Sequence, residues 1–317
     1  MKSELLVAEF LSTPWAMMPE RLAAFTGIMR RWQAGGHASP EVMAAIAGDK
    51  EIVAARKQEA ARAGQGANIA VLPFYGVVTQ RGNMAEDVSG PGAASTQKFT
   101  SALRQALQDP SVGAILIDID SPGGSVYGVE ELASEIMSAR AQKPIIGLAN
   151  SLAASAAYWV GAACSELYVT PGGEVGSIGV WQAHEDWSAA LQAEGIKTTF
   201  ISAGKYKVEG NYTEPLGKDA QAFMQSRVDD YYAAFTKSVA KGRSVGVDTV
   251  RSDFGQGRVY GAQAALSAGM VNGVMTFDDV VKKMGKDMKA ANRADRGNAA
   301  GAPSRLAAAQ RDLAIMG

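Results

Sequence analysis

Ser155, a serine set among alanines, is the first residue in this sequence that could do chemistry. It lies in the stretch NSLAASAAYW (150–159), which follows the apolar run PIIGLA. The small alanines on both sides would let a polypeptide backbone approach the hydroxyl closely. The start of a helix at this point would favour negative charge on a nucleophile. Taken alone, such a serine is more often a packing residue, so its partners elsewhere in the chain must decide.

A pair of glycines is the second candidate. In DIDSPGGSV (118–126), Pro122 ends a strand-like run and is followed by Gly123 and Gly124. Because glycine has no side chain, the backbone N–H groups of such a turn are accessible and can donate to a developing oxyanion. By itself, the PGG triplet is more typical of an ordinary strand-to-helix turn.

A serine nucleophile needs a general base, and histidines offer little choice. The chain has two of them, His37 and His184. A triad of Ser155, His184 and Asp186 is one hypothesis. However, an acid two residues from its histidine seldom meets it in the geometry that a triad requires.

A lysine is the alternative base. The segment SAGKYKVEGNY (202–212) carries Lys205 and Lys207. To accept a proton, a lysine must be neutral, so its pKa has to fall from about 10.4 to about 7–8 through burial or neighbouring groups. Lysines in loops are usually exposed, and an exposed lysine cannot do this. A lysine base here therefore requires a dry pocket.

The elements that must position these residues alternate along the chain. From residue 69 onward, apolar strand-like runs are separated by helical patterns. This predicts an α/β fold of repeated β-α units with mostly parallel strands, whose active sites lie at the carboxyl ends of strands. The predicted strands are IAVLPFYGVV, VGAILIDI, KPIIGLAN, ELYVT, SIGVW and KTTFISA, and the predicted helices are STQKFTSALRQALQ, the segment after SPGG, DWSAALQAEG, DAQAFMQSRVDDYYAAFTKSVAKGR and FDDVVKKM.

The chain divides into three predicted parts. Residues 1–66 show helical spacing and then a charged, Ala-rich stretch, which indicates an N-terminal helical appendage and a linker. Residues 67–285 form the main domain, and the polar residues 286–317 are typical of a flexible tail. We expect Trp15 and Trp32 to pack the appendage onto the main domain rather than to form an interaction surface.

Composition excludes several functions. Lys and Arg number 31 against 32 Asp and Glu, a formal charge of −1, so no basic surface for nucleic acid or an anionic membrane stands out. The single Cys164 excludes an internal disulfide framework and a cysteine metal cluster, and we expect it to be a small buried residue. No run reaches the roughly 18 apolar residues of a membrane helix, and Glu4 and Glu9 interrupt any secretory signal. We expect a cytoplasmic protein without a cofactor.

Five motifs occur in a fixed order: SPGG, AASAAYW, GSIGV, GKYKVEG and GRVYGAQA. Together they resemble the signal peptide peptidase A family of serine peptidases over residues 69–280, and an ordered set is far more specific than one Gly-rich turn. The resemblance implies the fold of the Clp protease and crotonase superfamily. It also implies a polypeptide substrate and a homo-oligomer whose active sites face an enclosed space.

The same resemblance implies roles within the site. Ser155 corresponds to the nucleophile and Lys207, the second lysine of GKYK, to the general base. Many members have AASGGYY where this chain has AASAAYW, which leaves open how the N–H after the serine is aimed. The resemblance also implies that the backbone N–H groups of Gly123, Gly124 and Ala156 form the oxyanion hole. It further implies that the hydroxyl of Ser177 orients the lysine.

Two further stretches narrow the resemblance. LSTPWAMMPERLAAFTGIMRRW and AHEDWSAALQAEGIKTTFISAGKYKVEGNYTEPL are similar to the head maturation proteases of tailed phages and prophages, which cleave scaffold and capsid proteins inside an assembling shell. Anchored family members begin with a membrane helix, which we do not expect here. We therefore favour a capsid or scaffold maturation protease with a Ser/Lys dyad, acting in the host cytoplasm or the procapsid.

Three alternatives remain open. The first is a cytoplasmic hydrolase of peptides like the signal peptide peptidases, with the same chemistry. The second is a catalytically silent capsid scaffold or adaptor, against which the intact Ser155 and Lys207 argue. The third is a crotonase-like acyl-CoA enzyme that uses the Gly-rich turn for a thioester oxyanion, in which the serine and lysine would be idle.

Overall fold

The structure is a computed structural model that describes residues 13–20, 69–81 and 94–301, with side chains up to residue 291. The helices in these ranges are α1 (Thr96–Gln108), α2 (Val129–Ala139), α3 (Ala156–Ala162), α4 (Ser188–Ala193), α5 (Lys218–Arg243), α6 (Val247–Asp253), α7 (Ala262–Ser267) and α8 (Phe277–Gly301). The strands are β1 (Trp15–Met17), β2 (Ile69–Tyr75), β3 (Val78–Thr79), β4 (Ala94–Ser95), β5 (Ala114–Ser121), β6 (Gly123–Ser125), β7 (Ile145–Ala154), β8 (Glu166–Val169), β9 (Glu174–Gly176), β10 (Val259–Gly261) and β11 (Gly273–Val274).

The main sheet is built on parallel strands. β5 pairs with β2 on one side and with β7 on the other, both in parallel. β7 pairs in parallel with β8 near its start and with β9 at its end. Strands covered on both faces are nearly continuous apolar runs, as the sequences of β5 (AILIDIDS) and β7 (IIGLANSLAA) show. The pairing places the carboxyl ends of β5 and β7 side by side.

Helices cover both faces of the main sheet. On one face α3 is wholly buried, and its Trp159 stacks on Phe235 of α5 with ring centroids 4.6 Å apart. On the other face, Val280 and Met284 of α8 belong to a core cluster with Leu116 of β5. A parallel sheet between helical layers buries the apolar faces of both kinds of element. The predicted α/β fold is confirmed.

A second, small sheet begins where β5 ends. Its strand order is β1-β6-β3-β4, with β6 parallel to β3 and antiparallel to β1. β6 is the Gly-rich turn of the sequence, so the turn is a strand with a neighbour on each side. This small sheet lies at the carboxyl end of the main sheet, where α/β proteins place their active sites.

Two predicted strands are absent. SIGVW (177–181) carries only a single bridge, between Trp181 and Trp15, and KTTFISA (197–203) has no regular structure. Every residue of 197–203 is exposed. An alternating pattern gives a strand only where the segment pairs with another strand, and residues 197–203 pair with none of the described strands.

Of the predicted helical appendage, residues 1–66, the structure describes residues 13–20, and residues 15–17 among them differ from the prediction. Residues 15–17 form β1 inside the main domain, and Ala16 is fully buried. Trp15 is 3% exposed, so the expectation that it packs onto the main domain is confirmed. Trp32 lies outside the described residues. Two prolines bound the short apolar segment PWAMMP (14–19), a pattern typical of a short strand rather than of a helix.

The C-terminal boundary also differs. The helix predicted near FDDVVKKM is α8, which continues to Gly301. The predicted start of the tail at residue 286 therefore falls inside a helix. Ala-rich sequence without proline permits a helix to continue even where few apolar residues pack. Residues 302–317 lie outside the described part of the chain.

We expect Phe235→Ala to lower the free energy of unfolding by about 3–5 kcal/mol, because it removes the ring that stacks on Trp159 at a fully buried position. Phe223→Ala, on the same helix but at a position 55% exposed, is the matched control and should change it by less than about 0.5 kcal/mol. Urea unfolding monitored by circular dichroism measures both. Equal losses in the two variants would contradict the packing described here.

Candidate active site

Ser155 lies at the junction between β7 and α3. Its backbone has φ 57° and ψ −118°, a region that costs a non-glycine residue about 1–3 kcal/mol. The Ser155 N–H donates to the Gly176 carbonyl at 2.7 Å, and the Ser155 carbonyl accepts from the Trp159 N–H at 3.0 Å. These bonds hold the residue in a conformation that it would not adopt alone. Backbone strain of this kind clusters at active sites.

The hydroxyl of Ser155 is buried and unsatisfied. The residue is 1% exposed, and its Oγ has no hydrogen-bond partner among the described residues. A buried polar group without a partner costs about 1–3 kcal/mol. An unpaired hydroxyl on a strained backbone has no evident packing role, which distinguishes Ser155 from an ordinary small core residue.

Gly123 lies directly against Ser155. Its φ of 91° favours glycine, and a Cβ added there would come within 2.9 Å of the Ser155 Cβ and collide with the Ala16 carbonyl oxygen. In this structure the Gly123 N–H donates to Ser121 Oγ at 3.2 Å, and Ser121 Oγ donates to the Gly76 carbonyl at 2.6 Å. The structure thus brings the Gly-rich strand to the serine, as predicted. The oxyanion role of Gly123 and Gly124 stays a prediction.

Ala156 begins α3, so its N–H has no acceptor within the helix. Ser155 has a positive φ but Ala156 does not, which means that this position does not require glycine. The Ala156 methyl is fully buried in the main core cluster, the large apolar cluster that also contains Trp159 and Phe235. Alanine is therefore accommodated at position 156. The N–H remains at the helix end that adjoins Ser155, and its donor role stays a prediction.

Ser177 lies beside the same junction. It follows Gly176, the residue whose carbonyl accepts the Ser155 N–H, and its own N–H donates to the Arg258 carbonyl at 2.8 Å. Ser177 is 6% exposed and has a positive φ of 53°. Two serines with strained backbones therefore lie on neighbouring elements. The proposed orienting role of Ser177 has no partner in place, because Lys207 is elsewhere.

Lys207 is not in contact with Ser155 in the single chain. It is exposed, as is every residue from 192 to 207, and its backbone N–H closes a turn onto the Gly204 carbonyl at 3.1 Å. Its side chain makes no hydrogen bond or ion pair with any described residue. Lys207 lines a cleft of about 590 Å³ together with His184, Glu209 and Arg227. The described residues of one chain do not form the dry pocket that a lysine base needs.

The alternative triad is not supported by the geometry. His184 Nε2 lies 2.9 Å from the Asn211 carbonyl oxygen. The Asp186 carboxylate accepts hydrogen bonds from the side chain and the N–H of Ser188, which hold its pKa below the ordinary value. Neither residue contacts Ser155. The Asp186 carboxylate is occupied by Ser188, the first residue of α4.

Cys164 is a buried residue, as predicted. Burial raises the pKa of its thiol to about 12, so the thiol remains protonated at neutral pH. Its Sγ lies 3.9 Å from the Val160 carbonyl oxygen within the core. A protonated thiol without access to solvent is not a nucleophile.

Sequence reasoning missed three contributors to the site. Gly176 fixes the backbone of Ser155, and Ser121 holds Gly123 in place. The third is Ala16 of β1, whose carbonyl lies against Gly123. Ser121 belongs to the SPGG motif and Gly176 to GSIGV, so the motifs themselves carried a signal. The contribution of Ala16 depends on a pairing more than one hundred positions away, which no local pattern indicates.

The model of Peptidase family S49 matches residues 138–291. That range contains the junction at Ser155 together with Ser177 and Lys207, while the strand of Gly123 precedes it. This part of the chain belongs to peptidase family S49. The membership predicted from the five ordered motifs is confirmed for this part of the chain.

Curated relatives of the family include phage proteins. The chain is 35% identical over 216 residues to the "Capsid assembly protease C" of Escherichia phage lambda, covering 68% of this chain and 48% of that protein. It is 34% identical over 216 residues to the "Head-tail preconnector protein GP5" of Enterobacteria phage P21, covering 68% and 42%. "Protease 4" of Salmonella typhi is 28% identical over 208 residues, covering 65% and 33%. The chain thus spans less than half the length of either phage relative.

The structure adds one observation about membranes. Among the described residues, no helix is both long and apolar enough to cross a bilayer.

We expect Gly123→Ala to lower the free energy of unfolding by at least about 2 kcal/mol, because the methyl would collide with backbone atoms and the φ of 91° disfavours alanine. Gly172→Ala is the control, since a Cβ at Gly172 would meet nothing within 4 Å. Chemical denaturation gives both values, and labelling of Ser155 by a fluorophosphonate reports whether the site survives. If the two variants are equally stable, Gly123 is not the close contact that the structure describes.

Proposed function

We propose that this chain is a serine endopeptidase in which Ser155 and Lys207 form the catalytic dyad. The observation that carries the proposal is the buried, unpartnered hydroxyl of Ser155, held on a strained backbone beside Gly123. Family S49 membership over the range that contains both dyad residues supports it. A crotonase-like acyl-CoA enzyme would have no use for this hydroxyl.

The proposed reaction is acyl transfer. Neutral Lys207 takes the proton of Ser155 Oγ as the oxygen attacks a peptide carbonyl carbon, and the oxyanion accepts hydrogen bonds from the amides of Gly123, Gly124 and Ala156. The C–N bond then breaks, and the lysine returns the proton to the leaving amine. Water, deprotonated by the same lysine, hydrolyses the acyl-enzyme and regenerates the serine. Ser177 orients the lysine.

Lys207 needs a second copy of the chain to act as a base. It lies on a stretch whose apolar side chains face solvent, among them Phe200 at 45%, Ile201 at 100% and Tyr206 at 53% exposure. Clustered exposed apolar residues mark interaction surfaces. A homo-oligomer that covers residues 192–207 would remove water from Lys207 and favour its neutral form. The exposed apolar residues therefore support the expected homo-oligomer. Its role in catalysis would be to shield Lys207 from water.

The proposed substrate is a capsid or scaffold protein, in the host cytoplasm or an assembling procapsid. The two phage relatives are named for capsid assembly and for the head-tail preconnector. A hydrolase of signal peptides is the second candidate, favoured by the similarity to Protease 4. A silent scaffold is the third, and the buried, unpartnered hydroxyl of Ser155 on a strained backbone argues against it, because such strain clusters at active sites.

We expect Ser155→Ala and Lys207→Ala each to abolish processing of a phage capsid or scaffold protein, with at least about a 1000-fold loss of rate. The two proteins are coexpressed, and the products are identified by gel electrophoresis and mass spectrometry. Lys205→Ala is the matched control, two positions away on the same exposed stretch, and should retain activity. Unchanged processing in Ser155→Ala would refute the peptidase mechanism, and loss in Lys205→Ala alone would identify the other lysine as the base.

We expect Ile201→Glu to reduce both the oligomer mass and the peptidase rate, because it places a charge in the surface that a second copy covers. Leu266→Glu, at an exposed apolar position on α7, is the control and should change neither. Sedimentation velocity measures the mass, and hydrolysis of an unfolded protein measures the rate. A smaller oligomer that keeps full activity would show that Lys207 works within one chain.

A further inference from the structure

The N-terminal strand segment, residues 14–18, lies between β6, which carries Gly123 and Gly124, and the backbone of Trp181. On one side, the Val126 N–H donates to the Pro14 carbonyl at 3.4 Å and the Met18 N–H donates to the Pro122 carbonyl at 3.2 Å. On the other side, Trp15 exchanges two backbone hydrogen bonds with Trp181, at 2.8 and 3.0 Å. The segment is therefore an extended strand that pairs along both of its edges.

The carbonyl of Ala16 is held by the amide predicted to bind an oxyanion. Ala16 faces Gly124 in the antiparallel register between β1 and β6. Hydrogen-bonded pairs alternate along an antiparallel ladder, and the pairs two residues before and after this one are bonded. Ala16 and Gly124 therefore exchange both backbone bonds, so the Gly124 N–H donates to the Ala16 carbonyl.

The same carbonyl lies near the nucleophile. A Cβ at Gly123 would collide with the Ala16 oxygen and would also come within 2.9 Å of the Ser155 Cβ. The Ala16 carbonyl, Gly123 and the serine thus converge on one point. This is where the carbonyl of a bound polypeptide substrate must lie if Ser155 is to attack it.

The segment lies beside Ser155 and fits its surroundings closely. Ala16 is 0% exposed and packs its methyl into the main core cluster, whereas Trp15 and Met17 point to the opposite face, against Val77 and Trp181. The pocket around Ala16 holds a small side chain. Because Ser155 is only 1% exposed, no other polypeptide can reach it while the segment is in place.

We propose that residues 14–18 are an internal pseudosubstrate, bound in the groove that an extended polypeptide substrate occupies, with Ala16 at the position of the residue whose carbonyl is attacked. This inference rests on the proposed peptidase function. Substrates bind by adding a strand between β6 and Trp181, with a small residue before the cleaved bond. The N-terminal strand segment competes with them and has to leave before another chain is cut.

The first test opens the groove in the full-length protein. Ala16→Asp places a charge at a fully buried apolar position and drives the segment out. We expect kcat/KM for an unfolded protein substrate to rise at least about tenfold, mainly through a lower KM, which corresponds to a segment bound in about nine-tenths of wild-type molecules. Glu20→Gln, at an exposed position just beyond the segment, is the control and should behave as wild type. Unchanged KM in a folded Ala16→Asp protein overturns the proposal.

The second test closes the groove and does not depend on the stability of Ala16→Asp. Trp15 and Trp181 are a hydrogen-bonded cross-strand pair, whose Cα atoms are close enough for a disulfide. The double variant Trp15→Cys, Trp181→Cys should lose peptidase activity when oxidised and recover it on reduction. The single variant Trp181→Cys, under the same oxidant, controls for damage elsewhere. An oxidised double variant that is as active as its reduced form refutes the proposal.

A binding measurement separates this proposal from the proposed function. A fluorescent peptide with the sequence of residues 12–20 (STPWAMMPE) is titrated in the Ser155→Ala background, where nothing can be cut. We expect it to bind Ser155→Ala, Ala16→Asp at least about tenfold more tightly than Ser155→Ala alone, as fluorescence anisotropy reports. Equal binding to both overturns the pseudosubstrate. A second outcome is that the peptide binds the Ala16→Asp background more tightly but the unsubstituted protein shows no hydrolysis that depends on Ser155. That outcome would refute the peptidase function and leave the assignment of the groove standing.

Discussion

The positive φ of Ser155 is the constraint on which the rest of the site depends. A non-glycine residue keeps this conformation only when neighbouring elements fix it from several sides. Here β7 delivers the serine, α3 carries the chain away into a fully buried layer, and the Gly176 carbonyl holds the N–H between them. The stacked rings of α3 and α5 anchor that layer. The core packing therefore sets the direction of one hydroxyl.

The crowding that fixes Ser155 also decides what can approach it. Only glycine fits at position 123, where the strand β6 passes the serine within van der Waals contact. The edge of β6 and the backbone of Trp181 carry donors and acceptors that need partners, since unpaired backbone groups in a buried groove are costly. The groove is thus stable when a strand lies in it. Within the chain, residues 14–18 supply that strand; in catalysis a substrate would.

Sequence patterns predicted the α/β fold and the junction at Ser155, because both depend on the residue pattern within short segments of the chain. Apolar runs alternate with helical spacing, and small residues surround the serine. The same reasoning placed a strand at residues 197–203 and a helical appendage around Trp15, and both differ from the structure. These two errors have one cause: whether a short apolar segment becomes a strand depends on a distant edge, which local periodicity does not contain.

The position of Lys207 shows why a motif can predict a general base without showing how that base would act. A fall of about three pKa units in a lysine base corresponds to roughly 4 kcal/mol, which must come from removal of water or from nearby groups. The stretch that carries Lys207 is exposed in one chain, and so are Phe200 and Ile201 on the same stretch. Burying these apolar side chains against another copy would supply both the driving force for assembly and the dry surroundings that the base requires. On the proposed mechanism, residues 192–207 couple assembly to catalysis, because the same stretch carries both the exposed apolar side chains and Lys207.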